Sequence, residues 1–407
     1  MSDIQFSKLS HELTKKISIY EKKKNGIYFT PNDIIKLTIE NIIEYKKDIK
    51  TILEPSCGSC EFINYINKTF TNTIINGIEF NKTIYESIKD IKSDINNINI
   101  IESNYLDYND GILYDLIIGN PPYYVMKKKD VDKKYSNYYD GRPNIFILFI
   151  VYSLTKLNNN GILSFILPKN FMSCLYYNKL RHIISQKYKI LNIIDCSDSS
   201  YIETQQDTII FIIQNCKDIK DNHKYILEKN GNVIFNTIEN IEIIKELYEN
   251  SKTLNELNFE VNVGNITWNE HKDILTDDDT KTRLIYSSDI KDSELIKIDY
   301  KNNEKKNYID KDGNNKLLLV VNRGYGKGQY KFNYCLIDIE KNYLIENHLI
   351  CIKYKEDIDR EELKNKYKEI ITSFTNIKTE EFIKIYFGNN AINTSELQHI
   401  LPIYINE

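Results

Sequence analysis

Thr51 to Phe62 reads TILEPSCGSCEF, and this stretch decides the fold. An apolar run, Thr51-Ile52-Leu53, meets a turn of small residues and then a helical pattern that starts at Cys60. Strand, tight turn and helix in that order form the ligand-binding corner of doubly wound α/β folds. Gly58 would let a ligand come close to the backbone. The stretch is not a GxGxxG fingerprint, so the assignment depends on what flanks it.

What flanks it is regular. Ile74–Ile78, Ile98–Ile101, Leu113–Ile118 and Ile162–Leu167 read as buried strands, with helices over 60–70, 82–91 and 143–157. Ile190–Ile194 and Thr208–Gln214 supply two further strands. Alternation of this kind, with continuously apolar strands, predicts a doubly wound, mostly parallel sheet covered on both faces. After Lys217 the segments lengthen and carry more charge. Asp277-Asp278-Asp279, the single Trp268 and the Gly-rich loop Arg323–Gly328 lie there, with strands expected near 317–322 and 349–354. The expected division is a first domain over 1–240, with a helical lead-in over about 1–25, and an α+β domain over 241–407.

Each of the first four predicted strands delivers a chemically useful group to its carboxyl end, where open α/β sheets bind ligands. The second ends in Glu79-Phe80-Asn81, an acid placed to accept ribose hydroxyls. The third is followed by Asn104-Tyr105, an amide and an aromatic suited to a base edge and face. The fourth runs into Asn120-Pro121-Pro122-Tyr123. Two prolines remove two backbone donors and fix two φ angles. An asparagine oxygen and the carbonyl of Pro121 can then converge on both hydrogens of one exocyclic amino group. That arrangement turns the nitrogen lone pair toward an electrophile, which is preorganised electrostatics combined with positioning. Tyr123 offers a flat face to a planar base.

Composition narrows the setting without naming the chemistry. The 407 residues carry a net charge of −4, so no global basic footprint announces a nucleic-acid ligand. The bias toward Ile, Asn, Lys and Tyr, with 31 Tyr against one Trp, reads as a skewed genome. Asn158-Asn159-Asn160 is accordingly expected to be an ordinary turn. Lys22-Lys23-Lys24 reads as a solvated surface, whereas Lys127-Lys128-Lys129, followed by Lys133 and Lys134, trails the Pro-Pro corner. Of seven cysteines only Cys57 and Cys60 are closely spaced, so no zinc site is expected. The N-terminus lacks an apolar signal core, and no run of about 18 apolar residues predicts a membrane span. The expected setting is intracellular and reducing.

With these motifs in place, the chain resembles the gamma group of amino-type, N6-adenine DNA methyltransferases of restriction-modification systems. That resemblance implies S-adenosylmethionine as cofactor and duplex DNA as partner. Gly26-Ile27-Tyr28-Phe29-Thr30-Pro31 is similar to the family's N-terminal cofactor-edge motif, with Thr30 and Pro31 beside the methionine moiety. Glu54 to Phe62 resembles the first cofactor motif, which brings in Glu54, Ser56 and Gly58. Glu79, with Phe80 beside it, would hold the ribose. Asn104, with Tyr105, stands where the family usually has an Asp that recognises the cofactor adenine, and Phe149 stands where it packs on that ring. Asn120, Pro121, Pro122 and Tyr123 match the catalytic tetrapeptide, with Asn120 and Pro122 also counted among the cofactor contacts. Tyr201 falls at the second aromatic that sandwiches the target base.

The implied reaction is direct attack by an adenine flipped out of the stack. No Pro-Cys dipeptide is present to serve as a cysteine nucleophile. The resemblance makes the C-terminal half a target-recognition domain. Lys127, Lys128, Lys129 and Arg142, with Tyr135, Tyr138 and Tyr139, are expected to form a basic aromatic loop at the DNA, holding phosphates and filling space near the extruded base. Arg323, Tyr325 and Lys327 are expected to reach phosphates or base edges. A separately encoded restriction endonuclease is a possible partner. Two alternatives remain at this level. The same corner serves adenine methylation of RNA and glutamine methylation of proteins, and a non-catalytic, sequence-specific DNA-binding subunit is a reading of another class. The Thr-Pro motif, Tyr201 and the long C-terminal half favour DNA.

Overall fold

The chain divides into two units, Met1–Ile241 and Glu242–Glu407. The computed structural model describes residues 5–198, 201–203, 206–302, 304–323, 333–387 and 391–405. In the first unit, α1 (Lys8–Lys16) and α2 (Ile19–Asn25) each start at a serine. Ser7 accepts from the Ser10 amide and Ser18 from the Glu21 amide, which satisfies donors that a helix start leaves open. Gly26, at φ +66°, ends α2 in the left-handed region. A Cβ on Gly26 would lie 2.6 Å from the Tyr123 nitrogen, so this corner needs glycine for space as well as for conformation.

Next come α3 (Asn32–Tyr45), β1 (Thr51–Glu54), α4 (Glu61–Thr69), β2 (Ile74–Glu79), α5 (Lys82–Ile88), β3 (Asn97–Glu102) and β4 (Tyr114–Gly119). They are followed by α6 (Ile145–Thr155), β5 (Leu157–Pro168), α7 (Asn178–Lys187), β6 (Lys189–Asp195), β7 (Thr208–Gln214) and the hairpin β8 (Ile226–Lys229) and β9 (Asn232–Phe235). The main sheet has the order β3-β2-β1-β4-β5-β7-β6. β1 pairs in parallel with both β2 and β4, and only β7 runs opposite to the other strands of the sheet. The fold is the Rossmann-like α/β architecture expected from the sequence.

Pleating sends neighbouring residues to opposite faces. Leu53 and Ile117 enter one core with Phe146, Leu163 and Phe211, while Ile52, Leu116 and Ile118 enter the other with Ile39, Ile63 and Ile210. α6 reads IFILFIVYSLT and is buried on nearly every side, which a helix apolar all round requires. Strand order reverses direction between β1 and β4. That switch point is the crevice where such sheets bind ligands, and it receives both the turn after Glu54 and the Asn120 corner.

Some expectations change. Asn158–Asn160 is not a plain turn: β5 starts at Leu157 and its pairing slips from Tyr114–Leu157 to Leu116–Ile162. The extra residues bulge, with Asn160 at φ +59°. α5 stops at Ile88 rather than Ile91, and the sequence reading did not anticipate α3 or α7. Lys22 is not solvated; it is 5% exposed, whereas Lys23 and Lys24 are exposed.

In the second unit, Phe259–Val263, Leu349–Tyr354, Leu318–Asn322 and Tyr334–Ile337 form an antiparallel sheet in that order. A second, mixed sheet orders Leu275–Thr276, Tyr308–Ile309, Thr282–Ile285 and Tyr343–Ile345. Helices Arg360–Phe374, Ile377–Tyr386 and Thr394–His399 follow, the last held by a capping box between Asn393 and Glu396. Among the described residues, no helix is long and apolar enough to cross a membrane.

Arg181 of α7 is fully buried and donates to the carbonyls of Phe171, Ser173, Cys174 and Val233. These bonds tie α7 to β9 and to the segment after β5. Arg181→Met removes a donor from each of these four carbonyls, of which that of Cys174 still accepts from the Tyr177 amide. The expected loss is roughly 3 kcal/mol or more, read as a lower denaturant midpoint in equilibrium unfolding.

Candidate active site

The Asn120 amide is held from one side. Its Nδ2 donates to Thr30 Oγ1 at 3.1 Å and to the Tyr28 carbonyl at 3.3 Å. The Tyr28 carbonyl can only accept, which orients the amide and leaves Oδ1 as the acceptor. The Tyr123 hydroxyl sits 2.6 Å from Asn120 Oδ1 and 2.6 Å from the Ile166 carbonyl. One phenolic proton serves one acceptor fully at a time, so Oδ1 keeps capacity for a second donor. Burial pushes the Tyr123 phenol well above its usual pKa, so it stays a donor. The Tyr123 ring meets Phe146 edge-on at 6.0 Å. Ser56 Oγ donates to the Asn120 carbonyl at 3.1 Å, linking the turn after β1 to the corner after β4.

A cavity of about 210 Å³ opens beside this corner. Ser56, Gly58, Glu79, Phe80, Asn104, Tyr105, Asn120, Pro122 and Phe149, all candidates from the sequence, line it. Phe80 is 67% exposed, an apolar ring presented at the cavity rather than buried. Thr30 and Glu54 line a smaller hollow of about 30 Å³, which shares Tyr28, Phe29, Ser56, Gly58 and Asn120 with the larger one. Pro31 lines neither; it is buried at the N-cap of α3. Tyr201 is part-buried, with its hydroxyl 3.0 Å from Thr208 Oγ1.

Two carboxylates define the electrostatics. Glu79 Oε1 accepts from the Asn81 amide at 2.7 Å and Oε2 from the Gly58 amide at 2.9 Å. Those bonds favour its ionised form, yet burial outweighs them and raises its pKa to about 7. Glu54 is 2% exposed, and its Oε2 has no hydrogen-bond partner among the described residues. Burial, with Glu79 and Glu61 nearby, pushes its carboxyl well above the usual range.

Some candidates have structural roles as well, and others fall elsewhere. Asn104 also shapes its own turn, accepting from Leu106 N and donating to Asp107. The Tyr105 hydroxyl pairs with Ser153 at 2.8 Å while its ring lies 5.0 Å from Phe149. Lys127, Lys128, Lys129 and Arg142 are exposed. Tyr135 and Tyr139 are 4% and 9% exposed and belong to the hydrophobic core, so they do not face an extruded base. Arg323 is half-buried at the end of Leu318–Asn322; Tyr325 and Lys327 lie outside the described residues. Among the described residues, no cluster of three His, Cys, Asp or Glu side chains could hold a metal ion.

Sequence reasoning missed several lining residues, among them Asn25, Asn81, Tyr124 and Met126. Tyr124 directly follows the tetrapeptide, so its place was readable. It also missed Ser10, whose Oγ donates to Glu61 Oε1 at 2.5 Å and lies 2.8 Å from Ser59 Oγ. No local signal marks a contact across 51 residues.

Residues 4–202 match the family of the Eco57I restriction-modification methylase. That segment, just under half of the chain, is similar to the restriction-modification methylases. It is 26% identical over 405 residues to the type II methyltransferase M.CvrRI of Paramecium bursaria Chlorella virus XZ-6E, covering 98% of this chain and 99% of that protein. The modification methylase CviBIII of Paramecium bursaria Chlorella virus NC1A is 25% identical over 414 residues, with coverage of 98% and 99%. The cryo-electron microscopy structure of the DrdV–DNA complex covers 92% of this chain and 54% of its own, at a TM-score of 0.50 and 11% identity, a likeness of fold alone. The methyltransferase takes S-adenosylmethionine as its cofactor.

Glu79 yields a pH test. Its folded pKa, near 7, lies above the ordinary value of 4.5. Its contribution is therefore present below about 4.5 and is lost as pH rises through 7. Between pH 5 and pH 8 the wild-type melting temperature should fall relative to that of Glu79→Gln, measured without cofactor. Equal pH dependence in the two proteins would contradict the assignment.

Proposed function

We propose that this methyltransferase moves a methyl group from S-adenosylmethionine to the N6 amino group of an adenine flipped out of duplex DNA. Residues 241–407 would read the target sequence, and the modification would mark DNA against a separately encoded endonuclease. The observation that carries this reading is the orientation of Asn120. An amide whose NH₂ is tied down at Tyr28 and Thr30 presents its oxygen as acceptor for an incoming amino group, beside a cavity of cofactor character.

The residues fit the cofactor. Glu79 keeps lone pairs for ribose hydroxyls after accepting from two backbone amides. Asn104, Phe80, Tyr105 and Phe149 offer an amide and apolar rings to a purine. The unpartnered Oε2 of Glu54, in the hollow that Thr30 also lines, suits the cationic methionine end, and a cation there would lower its raised pKa. Ser56, Gly58 and Pro122 give close walls, and Pro31 holds Thr30 at the start of α3. Bound there, S-adenosylmethionine supplies an electrophilic methyl group.

The chain's own residues do the rest. Asn120 Oδ1 and the Pro121 carbonyl accept the two amino hydrogens and direct the nitrogen lone pair at the methyl carbon. Pro122 keeps the backbone rigid and free of a competing donor. Tyr123 and Tyr201 flank the base, with Tyr123 yielding its bond to Oδ1 as the amino group arrives. Such preorganised acceptors cost no rearrangement at the moment of reaction. Lys127, Lys128, Lys129 and Arg142, exposed just beyond the corner, would hold phosphates, and Arg323, Tyr325 and Lys327 would serve the recognition domain.

Labelled methyl transfer should be offered to duplex DNA, RNA and a protein release factor in parallel. The expected product is labelled DNA alone; label in RNA or protein without DNA would overturn the proposal. Asn120→Ala should lower the rate on DNA roughly 10²–10³-fold, while calorimetry shows cofactor affinity within a few-fold of wild type.

A further inference from the structure

Lys22 stands out because its charge is buried while its two lysine neighbours are exposed. Its Nζ lies 2.6 Å from Glu203 Oε1 and 2.7 Å from the carbonyl of Thr14. Thr14 belongs to the last turn of α1, where carbonyls lack helical partners and favour a cation. Burying an ammonium is costly unless it is paired and hydrogen-bonded. An apolar side chain would fill the space at less cost, so the charge is informative.

The two ends of this ion pair lead to the two sides of the proposed substrate site. α2 carries Lys22 and passes directly into Gly26, where a Cβ would meet the Tyr123 backbone and the Pro122 side chain. The same segment supplies the Tyr28 carbonyl and Thr30 hydroxyl that hold Asn120. Glu203 lies two residues after Tyr201, and a small hollow is lined jointly by Thr14, Tyr28, Phe29, Tyr201 and Glu203. Tyr201 and Glu203 therefore rest on the segment that orients Asn120.

We propose that Lys22 and Glu203 are a positioning pair that sets the gap between the Asn120 corner and the Tyr201 face. The inference rests on the reading of Tyr201 and Asn120 as opposite sides of the target-base site. Neither Lys22 nor Glu203 touches substrate; the pair acts through the segments it joins. Its loss should slow the chemical step more than it weakens cofactor binding.

The test measures kcat and cofactor KM on unmodified duplex DNA, with melting temperatures, for Lys22→Met, Glu203→Gln, the double variant and Lys22→Arg. Each single variant should lose about tenfold in kcat, the scale on which misplaced groups act, with cofactor KM within twofold of wild type. The double variant should match the singles, and Lys22→Arg should keep half or more of the wild-type rate. Single variants within twofold of wild type in kcat, or losses that multiply in the double, would overturn the proposal. Glu203 is partly exposed, so Glu203→Gln keeps the test decisive should Lys22→Met fail to fold. Wild type that labels DNA upholds the functional reading whatever the variants do; wild type that fails to label DNA sinks that reading and this proposal with it.

Discussion

The hold of Tyr28 and Thr30 on the Asn120 amide is the contact on which the rest of the site depends. A carboxamide in water presents either end to a ligand; here the Tyr28 carbonyl, which can only accept, chooses the end, and Thr30 adds a second bond. The segment that supplies them reaches its place only because Gly26 has no Cβ to meet the Tyr123 nitrogen. Two prolines then keep the corner from relaxing around whatever is bound. Sequence, backbone and chemistry meet within a few residues.

The sheet explains why that corner lies beside a cofactor cavity. The switch point between β1 and β4 brings the turn after Glu54 against the corner after Gly119, and Ser56 bonds across the gap. Burial by the two hydrophobic layers raises the pKa of both Glu54 and Glu79. Glu79, with its pKa raised to about 7, can take up charge beside a hydroxyl-rich ligand. Stability and binding thereby draw on the same groups.

Much of this was legible because it is local. The parallel strands, the all-round apolar helix α6 and the residues at four strand ends follow from patterns a few residues long. What escaped was long-range or backbone-driven. Lys22 looked like one of three surface lysines because its partners, Thr14 and Glu203, carry no signal at that distance. Tyr135 and Tyr139 looked like aromatic partners of a basic loop, yet they complete the core beside α6. Asn158–Asn160 looked like a turn because Asn favours left-handed backbone, and that same freedom allowed a bulge within β5 instead. Tyr123 was legible as an aromatic at the site, but its hydroxyl bonds to Asn120 and Ile166 were not.

The central claim is that Asn120 presents an acceptor to the amino group of adenine. The direct measurement is the identity of the modified nucleoside. Duplex DNA treated with the protein and methyl-deuterated S-adenosylmethionine is digested to nucleosides and analysed by mass spectrometry. The account predicts deuterated N6-methyldeoxyadenosine, formed roughly 10²–10³-fold more slowly with Asn120→Ala. Deuterated N4-methyldeoxycytidine or C5-methyldeoxycytidine in its place would contradict it.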